Sequence, residues 1–72
     1  MAERNVPLHH SKQVHKAVYD DEAQLLKLTL NGKTYGYQRV PQEKVTGLSK
    51  APSHGDYFHK NIRGKHNFYP IS

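Results

Sequence analysis

Seventy-two residues carrying a formal net charge of +5 make one small domain, near the lower size limit for independent stability. The absence of cysteine excludes disulfide staples and thiolate metal sites, so the chain depends on a compact core or on a partner that completes it. No apolar run approaches the roughly 18 residues of a membrane span, and Met1 to His10 lacks the apolar centre of a signal peptide, which gives the expectation of a cytoplasmic protein.

Residues 1–10 are polar, contain Pro7 and show no periodicity. They read as a flexible N-terminal tail or a short lead-in strand, ahead of a single domain over 11–72. From Gln13 to Tyr19 a strand is expected, with Val14, Lys16 and Val18 on one face and His15, Ala17 and Tyr19 on the other. Asp20-Asp21-Glu22 reads as a solvated turn, because short acidic side chains bond back to the local backbone. Gln24 to Leu30 alternates, with Leu26, Leu28 and Leu30 sharing a face.

Asn31-Gly32 is the strongest local signal. A two-residue type I′ hairpin turn needs positive φ at both central positions, which asparagine and glycine tolerate. Lys33 to Val40 is then the returning strand. Pro41 ends it and opens a short helix to Leu48, weakened by Gly47. Ser53 is placed to cap a second helix, with Asp56 three residues on and Gly64 at its end. Lys65 to Ser72 reads as extended, with Phe68, Tyr69 and Ile71 available to pack on the core or to dock a partner. The fold class that follows is α+β: a three-stranded antiparallel meander followed by two short helices packed on one face.

Several spaced runs carry a resemblance. Tyr35-Gly36-Tyr37, Val40-Pro41, Ala51 through Phe58 and Asn61-Ile62-Arg63-Gly64 together resemble the KTSC domain, over roughly residues 11–70. The resemblance implies a short domain that occurs at the C-terminus of some lysyl-tRNA synthetases and as free-standing small bacterial and phage proteins. It implies a link to RNA and brings no catalytic residues with it. The family's Tyr-x-Tyr falls on Tyr35 and Tyr37. Asp56 departs from the basic or polar residue common at its place in the family.

Two kinds of site are then in view. Tyr35 and Tyr37 could stack unpaired bases. The Asn31-Gly32 turn, however, pairs Leu30 with Lys33, Leu28 with Tyr35 and Leu26 with Tyr37, which puts both tyrosines on the leucine face. They are therefore expected to be structural aromatics, with Tyr57 and Phe58 lining the apolar side of the second helix.

The other site is electrostatic. Residues 1–36 have a net charge of +1 and residues 37–72 a net of +4. Lys60, Arg63 and Lys65, supported by Arg39 and Lys50, are the candidate phosphate contacts. Lys60 and Arg63 could instead complement the negative end of the second helix.

The six histidines show no zinc-type spacing, so neither metal nor cofactor is expected. His54, Asp56 and His59 form the only dense acid–base set, and no nucleophile elbow or phosphate loop is present. So small a domain is also expected to offer little room for a cleft of several hundred Å³. The function read from the sequence is a non-catalytic nucleic-acid-binding module, RNA ahead of DNA. The alternative is a small protein-interaction module that docks on a larger protein.

Overall fold

The computed structural model describes residues 3–9 and 13–71. In chain order the elements are β1 (Glu3–Asn5), β2 (Val14–Asp20), β3 (Leu25–Leu30), β4 (Lys33–Tyr37), α1 (Gln42–Lys50), α2 (His54–Asn61) and β5 (Phe68–Pro70). The fold is α+β, and the expected meander is larger than three strands. All five strands form one antiparallel sheet in the order β1-β2-β3-β4-β5. The two extra strands are three residues each, too short to show alternation.

The hairpin follows the expected register. Leu30 pairs with Lys33, Leu28 with Tyr35 and Leu26 with Tyr37. Asn31 and Gly32 both have positive φ, at 51° and 81°, as a turn matched to the strand twist requires. The face assignment of β2 is corrected. Val14 pairs with Leu30 but Lys16 with Thr29, so His15 is the extra residue of a β-bulge. The slip turns Ala17 and Tyr19 to the same face as Val14, and these three are buried while Lys16 is exposed.

The strand expected to run to Val40 stops at Tyr37. Arg39 takes a left-handed conformation, φ 56°, which turns the chain and drops Val40 into the core. The Tyr19 hydroxyl donates to the Val40 carbonyl at 2.7 Å and closes that corner. Pro41 occupies the cap position before α1 rather than its first turn, in an extended conformation. The Ser53 hydroxyl accepts from the Asp56 amide at 3.3 Å, the capping contact expected of α2.

Both helices cover one face of the sheet. Val45 and Leu48 from α1, Phe58 from α2 and the following Ile62 meet Tyr19, Leu26, Leu28 and Tyr37 from the sheet. Gly47 has a packing role that offsets its low helix propensity. A Cβ there would lie 2.7 Å from the Tyr57 ring carbon Cζ, so the glycine lets the phenol cross α1. The N-terminal segment joins this layer: Val6 is buried and its amide donates to the Ala17 carbonyl at 2.9 Å.

A candidate nucleic-acid interface

Tyr37 and Tyr35 lie two residues apart on the covered face of β4, and the sheet presents them differently. Tyr37 is 4% exposed and meets Phe58 edge-on, with ring centroids 5.3 Å apart. Tyr35 is half-buried at the rim of the core. The expectation of burial therefore holds for Tyr37 and only in part for Tyr35. Phe58 is buried and Tyr57 half-buried on α2.

β5 adds a ring that the sequence reading left to packing or docking. Phe68 pairs with Tyr37 across the ladder and stacks on it, centroids 5.3 Å apart and planes 25° apart. It meets Tyr35 edge-on at 5.9 Å. Yet Phe68 remains 55% exposed. One side of this ring is fastened to the sheet and the rest faces solvent.

These rings floor an open groove of about 580 Å³. Leu30, Asn31 and Lys33 line its hairpin end. Phe58, His59 and Arg63 line it from the helix side, and Gln13 completes it. A cleft of this size is larger than expected for so short a chain. It is an open trough between hairpin, α2 and β5, so it needs no enclosing shell of protein. None of the described residues lining it is acidic, whereas Lys33 and Arg63 are both cationic.

The end of α2 sets the position of Arg63. The amides of Ile62 and Arg63 both donate to the Phe58 carbonyl, at 3.0 and 2.8 Å, and Gly64 then turns the chain with φ 78°. The Arg63 guanidinium lies 3.3 Å from His59 Nδ1, to which it donates. Burial pushes the Tyr37 hydroxyl above its ordinary pKa, and the nearby Arg63 charge partly offsets that rise.

All five basic residues nominated from the sequence are exposed, but they do not form one cluster. Arg63 lines the groove. Lys65 lies in a shallower depression beyond Phe68, formed by Gly64 to Phe68. Phe68 lines both. Arg39 follows Gln38, whose amide donates to the Asn67 carbonyl beside that depression. Lys60 lies on the exposed side of α2 and lines neither hollow. Lys50 lines a separate hollow between β1 and α1, together with Arg4.

The sequence reading missed Lys33, and it named Phe68 only as a ring available to pack on the core or to dock a partner, not as part of a groove with Tyr35 and Tyr37. Lys33 had a visible signal, because its spacing of two from Tyr35 and four from Tyr37 puts all three on one strand face. Phe68 had none, since its place depends on pairing with a strand some thirty residues earlier.

The histidine set does not converge on one centre. His54 is 1% exposed, and both its ring nitrogens bond to backbone. Nδ1 donates to the Leu48 carbonyl at 2.7 Å, and Nε2 accepts from the His9 amide at 3.1 Å. It is a structural histidine tying the N-terminal segment to the helices, with the His9 ring packed against it at 4.0 Å. Asp56 is exposed in the first turn of α2, and His59 faces the groove. Among the described residues, no group of three or more metal-ligating side chains is placed to share an ion.

The sequence profile of the KTSC domain matches residues 10–68. The chain belongs to the KTSC domain family. Its Tyr-x-Tyr is thus the β4 segment that carries the groove floor. The chain is 38% identical over 55 residues to a lysine–tRNA ligase of Trichormus variabilis and 36% identical over 55 residues to one of Nostoc punctiforme. Each match covers 75% of this chain and 10% of the ligase, so the KTSC domain here spans about a tenth of those relatives. A crystal structure of a KTSC domain protein from Yersinia pestis superposes with a TM-score of 0.89 at 26% identity, covering 99% of this chain and 100% of that one.

Proposed function

We propose that this KTSC domain is a non-catalytic nucleic-acid-binding module acting in the cytoplasm, with RNA preferred over DNA. The observation that carries the reading is the groove: aromatic rings on its floor, Lys33 and Arg63 on its walls, and no carboxylate among the described residues that line it. Lys65 extends positive charge past Phe68, and the exposed Arg39 and Lys60 add to it from the turn after β4 and from α2. Cations on phosphate and rings on bases are the two contacts that such modules combine. The preference for RNA draws support from the relatives, which are named for a reaction on tRNA.

The test is binding to RNA and DNA over a range of salt. Affinity should be micromolar or weaker and should fall steeply with salt, as expected of a patch with few phosphate contacts. Reversing charge at Lys60 and Lys65 together should weaken binding without loss of fold, because both side chains are exposed. Single removals should each reduce the log–log salt slope by about one. Absence of any salt-sensitive binding at low ionic strength would overturn the reading.

A second reading, docking on a larger protein, has its own observation. Tyr69 and Ile71 are 41% and 43% exposed, and both lie over Gly36, against Leu25, on the face of the sheet that the helices leave open. An apolar contact there would be nearly insensitive to salt, which separates the two readings in the same titration.

A further inference from the structure

We infer that the groove is a slot for an unpaired nucleotide, with Phe68 as the ring on which its base stacks and with Lys33 and Arg63 as the contacts to its phosphates. The inference rests on the nucleic-acid reading and adds a selection to it: single strands over duplexes.

The geometry of Phe68 carries the argument. A large apolar side chain on an edge strand would normally be turned inward or replaced by a polar one. Here the ring is stacked on Tyr37 at 5.3 Å with a 25° tilt and braced edge-on by Tyr35, while more than half of it stays in water. The bracing fixes its orientation before anything binds, which lowers the entropy lost on stacking a further planar group. A base is such a group, and its π-face is accessible only when it is not stacked inside a duplex.

The charges fit the same occupant. Lys33 stands on the hairpin wall and Arg63 on the helix wall, so both flank the aromatic floor. A single-stranded segment that places one base on Phe68 carries a phosphate on each side of that nucleotide. Arg63 also donates to His59, which holds the guanidinium at the groove instead of leaving it free in solvent. At about 580 Å³ the trough falls within the range of about 300–1,000 Å³ typical of small-molecule clefts. It is too local to follow a double helix, whose bases are stacked on one another and cannot present a face to Phe68.

The experiment compares fluorescently labelled oligouridylate, oligoadenylate and a blunt RNA duplex by anisotropy at low salt. The single strands should bind about tenfold more tightly than the duplex, as expected if one stacked base is added. Phe68→Leu should remove that advantage and leave the duplex affinity unchanged. Lys33→Glu, at an exposed position at the start of β4, should also weaken single-strand binding and serves as the check should Phe68→Leu disturb β5. Equal affinity for duplex and single strand, or single-strand binding indifferent to both substitutions, would overturn the slot while leaving the nucleic-acid reading standing. Failure of all three probes to bind would overturn both.

Discussion

Tyr35 and Tyr37 share a face and a motif but not an environment, and their substitutions should separate accordingly. Tyr37 is nearly fully buried between Phe58 and Phe68, so Tyr37→Ala should cost about 3–5 kcal/mol. Tyr35, half-buried, should cost clearly less. Thermal or denaturant unfolding of the two variants side by side checks this, and equal losses would contradict it. His66 gives a pH dependence. Burial, reinforced by the Lys44 charge, holds its pKa below the ordinary value, and Lys44 Nζ donates to its Nε2 at 2.8 Å. That bond needs a neutral ring. The unfolded chain takes up the proton more readily than the folded one. The stabilisation is therefore present above the ordinary histidine pKa of about 6.5 and is lost as pH falls through the lower folded value. Melting temperature should decline on acidification below about pH 6.5, and His66→Gln should flatten that decline.

At the scale of elements, the helix pair turns on Gly47. In isolation Gly47→Ala would stabilise α1 by roughly 0.8–1.0 kcal/mol. Here the added methyl meets the Tyr57 ring, 2.7 Å from Cζ and 3.0 Å from Cε2, so one helix must move or the ring must leave its place. The single substitution should destabilise the domain. In a Tyr57→Ala background the same change should become stabilising by about 1 kcal/mol. A double-mutant cycle by chemical denaturation reads the reversal of sign directly. The elements also show what the sequence could disclose. The β3–β4 register was legible because Asn31-Gly32 fixes a two-residue turn and the leucines fix the face. The faces of β2 were not, because the extra residue at His15 breaks the alternation without leaving a glycine or proline to mark it. β5 was legible only as an extended segment: Phe-Tyr-Pro carries no period, and its strand character comes from pairing with Tyr35, Gly36 and Tyr37. The charge of the C-terminal half was visible, but the separation of Arg63, Lys65 and Lys50 into three hollows was not, because that depends on how the chain turns between them.

Over the whole molecule, the connections divide into two kinds. β2, β3 and β4 follow one another through short turns, while β5 reaches its place beside β4 only after residues 38–67, both helices included. Loop closure over such a stretch is slow compared with forming a hairpin, so β5 is the expected last piece to join. It is also short, exposed along its length and held at its ends by two long-range amides, Gln38 to the Asn67 carbonyl and Ile71 to the Thr34 carbonyl. Those amides should exchange with deuterium through a local opening far cheaper than global unfolding, whereas the β3 amides should wait for the whole domain to open. Phe68 leaves the groove in that same opening. A ligand seated on its ring therefore has to hold the strand shut, and bound oligonucleotide should slow exchange at Gln38 and Ile71 while leaving β3 untouched. The edge strand would then act as a latch whose closing and whose cargo are one equilibrium.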